Sequence, residues 1–198
     1  MKDNNAKSFL PYIVLIIGLI LVVVVFSLSF IPSLFPFEPV ETIEDAKELS
    51  DQYLTRYYDG LEVSEIMEFT HNYYAIIIEK NTGNGAIELL VDRSSGRTNL
   101  EPGPNMMWNT KYGHHGRINE PTTAIPIDEE SAIMFAQNWL NQNTPGYRVV
   151  ETTTFYGYYT MDFGENEDIM GMLSVNCYSG EVWYHSWHGD FISMKDYN

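Results

Sequence analysis

The chain carries one pattern twice, and this internal repeat constrains its fold more than any other feature. Aligned from Ile43 and from Ile127, Ala46 answers to Ala132, Tyr53 to Trp139, Leu54 to Leu140 and Leu61 to Tyr147. Further on, Val63 answers to Val149, Phe69 to Phe155 and Gly96 to Gly180, so the offset drifts only from 86 to 84 residues. A unit of this length reads as two copies of one small domain. Solenoids use shorter units, and they need at least about three of them to bury a core.

Each copy gives the same order of elements. Ile43, Ala46, Leu49 or Ser50, Tyr53, Leu54 and Tyr57 recur at spacings of three and four, which predicts an amphipathic helix over 41–58. Ala132, Ile133, Phe135, Ala136, Trp139 and Leu140 predict its counterpart over 128–142. Thr42 and Asp128 stand at the helix starts with acidic residues behind them, and Asp59-Gly60 and Pro145-Gly146 stop the helices. Three β-rich runs and a shorter fourth come after each helix, with turns at Thr82-Gly83-Asn84-Gly85, Ser94-Ser95-Gly96 and Ser179-Gly180. No βαβ alternation calls for a parallel sheet. The expected fold class is therefore α+β, two repeated modules with one helix packed on an antiparallel sheet in each.

The N-terminus sets the expected location. Tyr12–Ile31 is an uncharged, almost wholly apolar run of 20 residues. As a helix at about 1.5 Å per residue it would span about 30 Å, the hydrocarbon thickness of a bilayer. Lys2 and Lys7 precede it, and Glu38, Glu41, Glu44 and Asp45 lie beyond it, which predicts a cytoplasmic tail and an extracytoplasmic remainder. No Ala-x-Ala site closes the run, so a signal anchor is expected rather than a cleaved peptide. The expected organisation is 1–35 as tail and anchor, 36–104 as repeat 1, 105–126 as linker and 127–198 as repeat 2 with its tail.

The net charge is −16, and Lys2 and Lys7 against Asp3 leave −17 on the part beyond residue 35. That field repels phosphate backbones, which argues against a nucleic-acid partner. Cys177 is alone, so no internal disulfide supports the exported part, and stability must come from core burial.

At this level the copies resemble the PepSY domain, a small module of peptidase propeptides and exported proteins. The second copy's Asp128-Glu-Glu-Ser-Ala-Ile-Met-Phe-Ala-Gln-Asn-Trp-Leu140 resembles that family's opening helix, and Gly157-Tyr-Tyr-Thr-Met-Asp-Phe163 its central strand. Val175-Asn-Cys-Tyr-Ser-Gly-Glu-Val-Trp183 resembles the closing hairpin, with Asn176 where an aspartate is usual. The first copy keeps the aspartate, as Val91-Asp92-Arg93-Ser94-Ser95-Gly96. The resemblance covers roughly 41–100 and 127–186. It implies a helix-on-sheet domain that binds or restrains a protein or peptidase partner, and it does not imply catalysis.

The copies differ most in their C-terminal flanks. His114, His115, His185 and His188, four of the five histidines, lie in these two tails, with Met106 and Met107 close by in sequence. Imidazoles with soft thioethers suit copper, and imidazoles alone also suit zinc. These six residues are the candidate metal ligands. A strand through Glu181–His188 would send His185 and His188 to opposite faces, so a shared ion requires the strand to end near Ser186. On the competing reading Trp108, Tyr112, Trp187 and the histidines form a hydrogen-bonded cap over the sheet. No HExxH, Gly-x-Ser-x-Gly, phosphate-loop or dinucleotide pattern is present. The expectation is a non-catalytic extracytoplasmic binding module, with copper or zinc handling as the alternative.

Overall fold

The computed structural model describes residues 13–22, 39–114, 126–166 and 168–197. Residues 13–22 form a helix, α1, whose large side chains from Ile13 to Val22 stand exposed. The rest of the apolar run expected to cross a membrane lies outside the described residues. No helix among the described residues is long and apolar enough to span a bilayer. From Pro39 onward the chain is a separate unit.

The first copy begins with α2 (Ile43–Tyr57), which Thr42 opens with a reciprocal capping box to Asp45. That arrangement satisfies two of the orphan donors at the helix start. Strands β1 (Leu61–Phe69), β2 (Asn72–Glu79), β3 (Gly85–Asp92) and β4 (Thr98–Leu100) continue the chain as an antiparallel meander. A short helix α3 (Pro104–Met107) leads toward the second copy, where Asp128 caps α4 (Glu129–Asn143) by accepting from the Ser131 N–H. Strands β5 (Arg148–Phe155), β6 (Tyr158–Glu165), β7 (Asp168–Asn176) and β8 (Val182–Tyr184) form the second meander. The expected α+β class, with a mostly antiparallel sheet, is what the chain adopts.

The repeat holds even in its irregularities. Buried Ala46, Ser50 and Leu54 of α2 correspond to Ala132, Ala136 and Leu140 of α4. Pairing of β1 with β2 slips between Val63 and Glu65, and that of β5 with β6 slips between Val149 and Glu151. A bulge shared by both copies re-aims the same side chains in each. Asp92 accepts from the Ser94 and Ser95 N–H groups, and Asn176 accepts likewise from Tyr178 and Ser179. The amide oxygen therefore closes this turn as the carboxylate does.

The two meanders join in one nine-stranded sheet, ordered β8-β7-β6-β5-β3-β2-β1-β9 with β4 also on β3. The joint is a single parallel pairing of Gly85 with Phe155. Asparagine side chains complete the edge of β3 between β4 and β5. Asn105 pairs with both the N–H and the carbonyl of Glu88, and Asn109 donates to the Ala86 carbonyl. Those backbone groups are buried, where each needs a partner, and the Glu88 carbonyl also accepts from the Glu101 N–H. The last strand, β9 (Phe191–Asp196), leaves the second copy and pairs antiparallel with β1 of the first. The tail that sequence order assigns to repeat 2 thus completes the sheet of repeat 1.

Three apolar layers result. The α2 helix covers Val63, Ile66, Tyr73, Ala75, Ile77, Ile87 and Leu89. The α4 helix covers Met161, Phe163, Leu173 and Val175, with Cys177 packed among them as a small apolar side chain. The helix-free faces meet each other through Met67, Phe69, Tyr74 and Ile76 from one copy and Tyr158, Ile169 and Met172 from the other. A pleated strand alternates its side chains between faces, so each central strand serves both a helix layer and this middle layer.

Candidate functional site

The middle layer is not purely apolar. Glu88 rises from β3 into it, fully buried, and accepts from Tyr74 Oη at 2.5 Å, Tyr158 Oη at 2.7 Å and Thr160 Oγ1 at 2.7 Å. Tyr74 comes from the first copy; Tyr158 and Thr160 come from the second. Three hydroxyl donors from both meanders therefore converge on one carboxylate. From Thr160 the network runs to Ser174 Oγ at 2.9 Å and on to His185 Nε2 at 3.0 Å.

His185 brings the network to Glu101. Its Nδ1 lies 3.3 Å from Glu101 Oε1, and His188 Nε2 lies 3.1 Å from the same oxygen. Trp187 Nε1 donates to that oxygen at 3.1 Å. Neither imidazole is aligned for a hydrogen bond there, and Glu101 Oε2 has no partner. All three residues are sealed, with relative exposures of 0% for Glu101, 3% for His185 and 2% for His188. Their ligand atoms lie within 4.8 Å of one another, a grouping of histidine and carboxylate found nowhere else among the described residues.

Local structure explains the convergence. Strand β8 ends at Tyr184, so His185 starts a turn instead of continuing the alternation, and His188 folds back beside it with ring centroids 5.7 Å apart. The condition for the two histidines to meet is therefore fulfilled. Gly189 comes next at φ 81°, with space so tight that a Cβ would fall 2.1 Å from Thr70 Oγ1. Only glycine seats this turn against the β1–β2 hairpin. Glu101 holds the position in copy 1 that His185 holds in copy 2. Each is the first residue after the short fourth strand, and each donates its N–H to the third strand, to Glu88 and Met172 respectively. The site thus pairs equivalent positions of the two copies.

Burial and charge set the protonation. Burial alone would raise Glu101, but His185 and His188 beside it hold its carboxyl down at about 2. Burial, with the Glu101 charge nearby, pushes Glu88 up to about 7. Burial works to lower His185, yet the Glu101 carboxylate outweighs it and raises the imidazole; at His188 burial prevails and the pKa falls. At the other buried acids of the layer burial prevails, even though the His185 charge works to lower Asp162. Burial with the Asp162 charge pushes Glu65 up to about 9, and burial with Glu151 pushes Asp162 up to about 8.

The other sequence-derived candidates stand apart. His114 is exposed and its N–H bonds to the Met106 carbonyl. Met107 is exposed, Met106 is half-buried, and His115 lies outside the described residues. Glu101 escapes a reading of the sequence because it sits in the Glu-Pro-Gly-Pro stretch that reads as linker. The 84-residue offset, extended past Gly96 and Gly180, sets it against His185 and is the signal that could find it.

The series Ser174–His185–Glu101 has the order of a nucleophile, base and orienting acid. Ser174, however, is fully buried with its oxygen held between His185 and Thr160, leaving no approach for a substrate. A cleft of about 570 Å³ adjoins the layer, lined by His71, Asn72, Arg97 and Trp187 among others. No protein-family model matches the chain, and no curated protein matches it. Among solved structures, the Bacillus megaterium YpeB C-terminal domain matches at a TM-score of 0.29 and 10% identity. The match covers 76% of this chain and 65% of that one, so this chain spans just under two thirds of its length.

Proposed function

We propose that this chain is a non-catalytic binding module held at the outer face of a membrane, engaging a protein or peptide partner. The observation that carries this reading is where the reactive chemistry lies. The serine–histidine–carboxylate series is shut between the two meanders, away from solvent. Catalysis would need the reverse, a nucleophile and base open to substrate. Among the described residues, β5 has no strand partner on its β3-facing side before Phe155, and its exposed Val150 and half-buried Thr152 lie on that strand. An open edge of this kind accepts an extended segment by main-chain pairing. The −16 charge favours a basic partner segment.

A photo-reactive residue placed at Val150 in the full chain, in its own membrane, should capture one defined protein. The same residue at Gln142, on exposed α4 surface, should not. Equal capture from both positions, or none from Val150, would overturn the edge as the binding surface. Protease added outside intact spheroplasts should digest residues 36–198, and full protection would contradict the location. The thioether copper reading gains no support from exposed Met107 and His114. The buried imidazoles face a carboxylate instead.

A further inference from the structure

We propose that Glu101, His185 and His188 form a three-residue site for a divalent transition-metal cation of the zinc type, buried where the two copies meet. The argument rests on which ring nitrogens are free to ligate. Asn72 Nδ2 donates to the Trp187 carbonyl at 3.1 Å, which turns its Oδ1 toward His188 Nδ1 at 2.9 Å. An amide oxygen only accepts, so His188 carries a proton on Nδ1, and in the neutral ring Nε2 keeps its lone pair on the Glu101 side. On the other ring, the Thr160 hydroxyl donates to Glu88, so Ser174 donates to Thr160 and accepts from His185 Nε2. The neutral His185 ring then keeps its Nδ1 lone pair on the side of the same carboxylate.

Two imidazole nitrogens this close to a carboxylate oxygen in a sealed layer call for a positive charge among them, a proton on His185 or a metal cation. The 3.1 and 3.3 Å separations between ring nitrogens and Glu101 Oε1 approach the edge of a tetrahedron with bonds of about 2.0–2.1 Å, close to 3.4 Å. Each ligating imidazole has its other ring nitrogen fixed by a side-chain oxygen, the outer-shell pattern that orients histidine toward metal. Two nitrogens and a carboxylate oxygen suit zinc better than Cu(I), which favours thioether or thiolate. Glu101 Oε2, without a partner, or a water completes the coordination. The adjoining cleft, which Asn72 and Trp187 also line, gives the ion its route. The ion would tie copy 1, through Glu101, to copy 2, through both histidines. This inference stands independently of any protein partner.

The test uses the full chain in detergent, stripped with a chelator, dialysed against zinc ion alone and assayed for bound metal. We expect one zinc per chain in the wild type and in a His114→Ala/His115→Ala variant. Binding should be lost in Glu101→Gln and in His185→Ala/His188→Ala. Asn72→Ala, which keeps all three ligands, should weaken binding by about 10- to 100-fold. Should the ligand variants fail to fold, X-ray absorption on the zinc-loaded wild type decides, with two imidazoles and oxygen donors expected. Folded wild type that binds no stoichiometric zinc, or zinc lost only with His114 and His115, would overturn the proposal.

Discussion

Two groups of buried carboxylates share the layer between the sheets, and they behave in opposite ways. Around Glu101, His185 and His188 supply compensation, and the carboxylate stays charged with its pKa near 2. Around Glu65 and Asp162 the acids Glu151 and Asp196 add to burial and outweigh the more remote pull of His185 on Asp162, so the pKa values rise to about 9 and 8. Position in the fold is comparable; the neighbouring charges differ. Depth alone does not decide whether a buried acid ionises. The deciding factor is whether a base lies directly against it, as His185 and His188 lie against Glu101.

Removing the compensation is the most damaging way to break this contrast. His185→Ala leaves Glu101 buried with one imidazole fewer, and should cost about 3–5 kcal/mol in denaturant unfolding. Gly189→Ala acts indirectly on the same site, by forcing the His188 turn away from Thr70, and should cost about 1–3 kcal/mol.

The pH dependence sharpens the comparison. Between about pH 4 and 9 the folded chain retains protons on Glu65 and Asp162 that the unfolded chain has released. Stability therefore falls as pH rises through that window, by up to about 1.4 kcal/mol per pH unit for each retained proton. Glu101 acts with the opposite sign: its folded pKa is depressed, so its contribution is present above about 4.5 and is lost as pH falls toward about 2. A Glu65→Gln/Asp162→Asn variant should flatten the alkaline slope and leave the acid limb unchanged, as read by thermal unfolding across pH. The smallest effect sets the scale. Lys47 pairs with Asp51 one turn on along α2 at 2.7 Å, near the surface, and Lys47→Ala should change stability by no more than about 0.5 kcal/mol.

Much of this fold is legible in the sequence because it depends on local periodicity. Ala46 with Leu54, and Ala132 with Leu140, mark the buried stripe of each helix, and the Gly-containing turns separate the strands. The middle layer is not legible. Glu88, Thr160 and Ser174 alternate with apolar residues as the outward face of a half-exposed strand would, yet the other copy seals them. Strand β9 escapes notice because Phe191–Asp196 is short and its partner, Glu65–Phe69, lies more than 120 residues earlier in the chain. Of the candidate site, His185 and His188 can be named from composition. Their meeting depends on β8 ending at Tyr184, a boundary that alternation does not mark. Glu101 comes into view only through long-range pairing.

The central claim is that the buried polar layer makes the two copies one cooperative body. Native-state hydrogen exchange on the His185→Ala variant tests it most directly, comparing amides of Tyr74–Ile77 in the first copy with those of Tyr159–Phe163 in the second. The substitution lies in copy 2, yet the account predicts equal loss of protection in both strands. Loss confined to Tyr159–Phe163, with Tyr74–Ile77 unchanged, would show two independently stable domains and contradict it.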